Sequence, residues 1–166
     1  MVESVTVYVA LGCNLGSRHV NLASALSALE NHEQIAELKC SSVYETSPMG
    51  PQDQPDYLNA VVVFDTDLAA EALLDVLQDI ETNHGRTRTG ERWGPRTLDL
   101  DLLLYGDQLL DTPRLKVPHP GIADRSFVLL PLGELAPHLI IPAVGAVSQL
   151  ITQCQHFDIR RLNSSL

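Results

Sequence analysis

The chain contains no apolar run approaching the ~20 residues that a membrane-spanning helix requires, so it is not expected to enter a membrane. Its three cysteines, Cys13, Cys40 and Cys154, are too few and too scattered for a disulfide framework or a thiolate metal site. That usage predicts a cytoplasmic protein in a reducing setting. Positive charge is scarce: 11 Lys and Arg stand against 21 Asp and Glu, a net charge of −10. Such a balance argues against a nucleic-acid partner. There is no internal repeat, low-complexity tract or linker, so residues 1–166 are expected to form one domain with a real core. The familiar phosphate loops are missing too. "LGCNLGSR" (11–18) has two glycines but no P-loop lysine, does not read GxGxxG, and is expected to be a tight strand-to-helix turn. "ALGC" ending at Cys13 faintly resembles a lipoprotein cleavage site. No positive charge precedes it, however, and Thr6 and Tyr8 interrupt it, so a first strand is expected instead.

What positive charge there is lies together. Seven of the 11 basic residues fall between Arg86 and Arg125: Arg86, Arg88, Arg92, Arg96, Arg114, Lys116 and Arg125. A basic segment in an acidic chain suggests a local site for a small polyanion, with a solvated charged loop as the alternative.

Periodicity supplies the elements. "VTVYVALG" (5–12) is β-branched and apolar, a buried strand. Leu22, Leu26 and Leu29 recur at i, i+4 and i+7, predicting a helix that starts near Ser17. "LKCSSVYETS" (38–47) reads as a strand, "SPMGPQDQPD" (47–56) as a loop and "YLNAVVVFD" (57–65) as a strand. A second helix, capped by Asp67 and ended by Gly85, presents Leu73, Leu77 and Ile80. "GRTRTGERWGP" (85–95) is a glycine-punctuated loop, expected to act as a lid that brings arginines to a bound ligand. "RTLDLDLLLY" (96–105) is the next strand. "GDQLLDTPRLKVP" (106–118) reads as a small hairpin and "SFVLLPLGELAP" (126–137) as a short late helix. The order β-α-β-β-α-β predicts an α+β, ferredoxin-like antiparallel sheet with helices packed on it, followed by an added C-terminal hairpin and helix.

Asp99 and Asp101 stand in the leucine-rich strand, two residues apart. They therefore share a face, ~6.5–7 Å apart along the chain, while Leu98, Leu100 and Leu102 take the other. Neighbouring carboxylates repel unless one is protonated or a cation lies between them. Magnesium prefers oxygen ligands and travels with phosphates, and arginines suit phosphate oxygens. The alternative is a pair of exposed or salt-bridged aspartates. Other residues are open to two readings. Tyr57 and Asn59 share a strand face and suit a flat heterocycle, or else a core tyrosine beside a satisfied asparagine. His119 in "VPHPG" is a phosphate donor or a loop residue. Gln78 and Glu81 share a helical face that reads first as solvated. Trp93 either plugs the core or closes over a ligand.

"ERWGPRTLDLDLLLYG" (91–106), "GPQDQPDYLNAVV" (50–62) and "YVALGCNLGSR" (8–18) together resemble the 6-hydroxymethyl-7,8-dihydropterin pyrophosphokinases of the folate pathway, from about Val5 to Phe157. The resemblance implies a monomeric enzyme that transfers pyrophosphate from ATP to the pterin hydroxymethyl oxygen and releases AMP. It implies two Mg²⁺ ions held by Asp99 and Asp101, and catalytic roles for Arg86, Arg92 and Arg96 beside them. By the same resemblance Tyr57 and Phe127 sandwich the pterin, and Asn59, with the backbone of Thr46 and Met49, reads its edge. Gln78, Glu81, Arg88, Arg96, Leu102, Arg114, His119 and Arg125 fall at ATP contacts. Arg86, Arg92 and Trp93 fall in the loop that closes over the site. Pro120 and Lys116 depart from the family pattern, next to the expected nucleotide contacts. Two rivals from other classes are a palm-type nucleotidyltransferase or cyclase, which would attack the α-phosphorus and release pyrophosphate, and a non-catalytic ligand- or RNA-binding ferredoxin-like module. The acidic charge and the lack of paired aromatics on the central strands speak against RNA binding.

Overall fold

The computed structural model describes residues 3–47, 55–84, 98–154, 159–162 and 166. Its centre is strand β1 (Val5–Cys13), whose apolar, β-branched sequence suits burial on both faces. On one side it pairs with β4 (Tyr57–Thr66) and on the other with β5 (Asp99–Tyr105), both antiparallel. Beyond β4 lie β2 (Ile35–Cys40), β3 (Tyr44–Thr46) and, outside β3, β10 (Ile159–Arg161). Every pairing in this six-stranded sheet is antiparallel.

The single strand expected over 38–47 is two. Ser41 interrupts it, because its hydroxyl accepts a hydrogen bond from Val61 N–H at 2.9 Å in place of a continuous ladder. Strand β2 also begins earlier than expected. Glu37 takes a positive φ of 56° at an irregularity between Ala36 and Lys39, which breaks the alternation a strand reading depends on.

Helices α1 (Arg18–Glu30) and α2 (Ala70–Asn83) pack on one face of the sheet. Their leucines, with Ile80, join Val7, Val9, Leu11, Leu98, Leu100 and Leu102 in the larger apolar core. The start of α1 agrees with the expectation from Ser17. Asp67 does not cap α2: the residue ahead of the helix is Ala69, and the Asp67 carboxylate accepts from Gln34 Nε2 at 3.1 Å. At the other end α2 stops at Asn83, and His84 places Nδ1 2.7 Å from the carbonyl of Ile80, satisfying one terminal acceptor. Gly85, the expected stop, lies outside the described residues.

Among the described residues the opposite face is only partly covered. A 3-10 turn (Ile122–Asp124), α3 (Ser126–Leu135) and α4 (Val147–Gln153) pack over Val61, Leu103 and Leu104. A register shift between β1 and β5 at Tyr8/Val9 lets Leu103 and Leu104 both join this second core. Two small antiparallel pairs, β6 (Leu110–Asp111) with β7 (Lys116–Val117) and β8 (Ile140–Ile141) with β9 (Gly145–Ala146), extend the periphery. This second core packs against Tyr8 and Ala10 of β1, and among the described residues the Gly12 end is left open, where the polar side chains of β4 and β5 emerge.

Candidate active site

At that open end β1 offers no side chain larger than a methyl. Gly12 lies opposite Asn59 on one neighbour and Asp99 on the other, and Ala10 lies opposite Val61 and Asp101. The small residues leave a trough across the sheet. It is walled by Thr46 on β3, Tyr57 and Asn59 on β4, the two aspartates on β5, and Arg125 and Phe127 at the start of α3. Leu98, Leu100 and Leu102 are buried in the core behind the aspartates, as the two-residue alternation requires.

Asn59 is buried, and its Nδ2 donates to Thr46 Oγ1 at 2.8 Å. That bond orients the amide and leaves Oδ1 over Gly12, where an added Cβ would come within 3.3 Å of it. Just ahead of Tyr57 the chain is held by two donors from the β1–α1 turn. Asn14 Nδ2 reaches Pro55 O at 3.0 Å and Arg18 Nη1 reaches Asp56 O at 2.8 Å. The "LGCNLGSR" stretch is thus a strand end and turn, as read, and it also fixes the wall of the trough. The role of Gly12 was missed; its signal was a glycine inside an otherwise β-branched strand.

Asp101 also lines a second cleft of about 330 Å³, the size of a small-ligand pocket. Leu100 and Leu102 form its floor, and Arg114, Lys116, His119 and Pro120 its rim. Lys116 and Pro120 both line this cleft. His119 Nδ1 accepts from Gly121 N–H at 3.1 Å, so the neutral ring carries its proton on Nε2. Burial, and then the Arg125 guanidinium, lower its pKa from the usual histidine range, against a smaller opposing pull from Asp99. Both effects favour the neutral ring, with Nε2–H free to donate. Arg125 lies flat against Gly121, where a Cβ would meet its Nε at 2.7 Å, and its guanidinium carbon is 5.9 Å from the Phe127 ring centre. Arg114, nearly half exposed, donates to Asp75 Oδ1 at 2.5 Å, with Glu71 3.8 Å away.

Glu81 corrects the reading of its helix face as solvated. It is 3 % exposed, and its Oε2 accepts from the backbone N–H of Leu100 at 2.8 Å. Among the described residues no strand lies beyond β5 in the sheet, and a buried carboxylate satisfies one of its edge donors. The stripe Leu73, Leu77, Ile80 already placed position 81 on the buried side, at i+4 from Leu77. Gln78 is half-buried one turn earlier on α2. Met49, Arg86, Arg88, Arg92, Trp93 and Arg96, with the expected lid, lie outside the described residues.

Magnesium fits this donor set. Two half-buried carboxylates share one face, and among the described residues no group of three or more His, Cys, Asp or Glu could enclose an ion. Such a pair suits an ion that takes one or two carboxylates and draws its other ligands from phosphates and water.

A carboxylate pair thus lies between a trough with one amide-bearing edge and a cleft lined by Arg114 and Lys116. The sequence comparisons supply the family. Residues 8–137 match the family model for 7,8-dihydro-6-hydroxymethylpterin-pyrophosphokinase, and the chain belongs to that family. It is 49 % identical over 156 residues to the 2-amino-4-hydroxy-6-hydroxymethyldihydropteridine pyrophosphokinase of Pseudomonas aeruginosa, covering 94 % of this chain and 96 % of that one. It is 43 % identical over 159 residues to the Haemophilus influenzae protein of the same name, covering 96 % and 99 %. Among solved structures, Plasmodium falciparum HPPK-DHPS with pteroate superposes with a TM-score of 0.72 at 14 % identity, over 92 % of this chain. At that identity the likeness is one of fold; the chain spans 43 % of that longer protein. Among the described residues no helix is long and apolar enough to cross a membrane.

Proposed function

We propose that the trough binds the pterin, that the second cleft binds ATP, and that Asp99 and Asp101 stand where the two meet. The activity is that of the family: transfer of pyrophosphate from ATP to the hydroxymethyl group of 6-hydroxymethyl-7,8-dihydropterin, in folate biosynthesis, with Mg²⁺ required. The observation that carries the assignment of clefts is Asp101, which lines both. The pterin hydroxyl oxygen forms a bond to the β-phosphorus of ATP. The bond from that phosphorus to the α-phosphate oxygen breaks, AMP leaves, and the hydroxyl proton is lost.

Tyr57 and Phe127 stack on the two faces of the pterin. Asn59 Oδ1, with the backbone of Thr46 and Met49, reads its amino and amide edge, and Trp93 closes over it. Asp99 and Asp101 would hold two magnesium ions, which would neutralise phosphate charge and favour the ionised hydroxyl. Arg86, Arg92 and Arg96 offset the charge that builds on the transferred group, helped by Arg125. His119, through Nε2–H, donates to a phosphate oxygen. Gln78, Glu81, Arg88, Leu102 and Arg114 complete the nucleotide contacts, Arg114 exchanging part of its pairing with Asp75 for the ligand. The order β5-β1-β4 with β2 and β3, under α1 and α2, supports a ferredoxin-like sheet to which the pairs after β5 and the late helices are added. Apolar cores on both sides of one sheet support one domain over 1–166. The chain acts as a monomer, and its few, scattered cysteines support a cytoplasmic setting.

Incubation with ATP, Mg²⁺ and the reduced pterin should yield one AMP for each pterin consumed. ADP or free inorganic pyrophosphate as the product would overturn the reading.

Gly12 offers a finer check. In Gly12→Ala the new methyl meets Asn59 Oδ1 at 3.3 Å and the Tyr57 ring at 4.0 Å, and the bond to Thr46 restrains Asn59 from retreating. The pterin KM should rise ~5–10-fold, the effect of about 1 kcal/mol of local misfit, with the ATP KM unchanged. Steady-state kinetics with each substrate varied in turn measures both.

A further inference from the structure

Glu45 lies on β3 between Tyr44 and the trough residue Thr46, and turns to the other face of the sheet. Its side chain is 15 % exposed and sits between two arginines. Oε2 accepts from Arg18 Nη1 at 2.9 Å, and Oε1 accepts from Arg160 Nη2. The same Arg18 nitrogen donates to the carbonyl of Asp56, the residue before Tyr57. Arg160 belongs to β10, where it is the register partner of Glu45, and Leu162 N–H continues the pairing to Val43 O at 2.8 Å. One carboxylate thus joins three segments at the point where Thr46 and Tyr57, themselves register partners, enter the trough. The family match ends at residue 137, so the strand that supplies Arg160 lies beyond it.

We infer that Glu45 is a positioning residue for the pterin: through Arg18 it ties β3 to the backbone ahead of Tyr57, with β10 as an outer brace, so that the spacing of the trough wall is set before the ligand arrives. A planar guanidinium can serve a carboxylate and a carbonyl at once, which a lysine cannot do with the same rigidity. A neutral amide at position 45 would present N–H donors to one of the two arginines and release it. The inference rests on the trough being the pterin site.

The test is steady-state kinetics on Glu45→Gln, Arg18→Met, their double variant and Arg160→Ala, with Asn59→Ala as reference. Glu45→Gln and Arg18→Met should each raise the pterin KM ~5–10-fold, the loss of one charge-assisted bond, with kcat at saturation and the ATP KM within about 2-fold. The double variant should be no worse than the poorer single, because both break one connection. Arg160→Ala, whose side chain is 70 % exposed and whose loss should not prevent folding, should raise the pterin KM ~2–3-fold. The inference is overturned if these variants leave the pterin KM unchanged while Asn59→Ala raises it. It is equally overturned if kcat falls and the ATP KM rises in parallel with the pterin KM. If Asn59→Ala also leaves the pterin KM unchanged, the trough is not the pterin site and both readings fall together.

Discussion

Replacing either Asp99 or Asp101 by alanine should lower kcat by at least ~10³, since each change removes an anchor for the ions that neutralise the transferred phosphates. The two carboxylates share one face of an edge strand, with buried leucines behind them, so neither has another position to retreat to. The loss should appear in kcat and not in folding. Both side chains are half-buried at the open end of the sheet, and without metal they repel one another. Thermal unfolding without Mg²⁺ should therefore change by less than ~3 °C, well within the shift expected for about 1 kcal/mol in a domain of this size. Asp101→Asn keeps the shape and should be nearly as inactive, which separates loss of charge from loss of packing. Near-normal turnover by any of these variants with Mg²⁺ would contradict the assignment. So would an equal loss for an exposed carboxylate such as Glu33.

Asn59→Ala should weaken pterin binding ~10–100-fold and leave ATP affinity within about 2-fold. The range follows from losing a buried amide that reads the ligand and leaving the Thr46 hydroxyl without its donor, ~1.5–3 kcal/mol together. Asn59 Nδ2 holds Thr46 Oγ1 at 2.8 Å, so the substitution damages two parts of one wall. Thr46→Ala should show the same selectivity with a smaller effect. Isothermal titration of the pterin in the presence of a non-hydrolysable ATP analogue measures this directly. A matching loss of nucleotide affinity would mean that the trough and the second cleft are not separate sites.

The strands and helices that frame the site were legible because their apolar residues repeat at 2 or at 3.6. The leucines behind Asp99 and Asp101 and the Leu22, Leu26, Leu29 stripe of α1 fall in the core for that reason. The aspartate pair stood out as charge where the period demanded leucine or solvent, and its position at the meeting of two clefts agrees with that. What escaped the sequence depends on contacts distant in the chain. Glu81 reads as a surface residue until β5 supplies a backbone donor 19 positions away. Asp67 has the chemistry of a helix cap but is bound by Gln34, 33 residues earlier. The strand over 38–47 breaks because Ser41 pairs with Val61, which no local pattern records. Gly12 is small because Asn59 sits across from it, and Glu45 matters only because β10 returns from the far end of the chain.

The central claim is that the aspartate pair holds the metal-bound phosphates of ATP against the pterin hydroxyl, with Asp101 shared by both sites. A crystal structure with Mg²⁺, a non-hydrolysable ATP analogue and 6-hydroxymethyldihydropterin tests it most directly. It should show metal on both Asp99 and Asp101, the pterin ring between Tyr57 and Phe127 with its edge on Asn59, and the nucleotide along Leu100, Leu102 and His119. Phosphates or metal bound away from Asp99 and Asp101, or a pterin outside the trough, would contradict it.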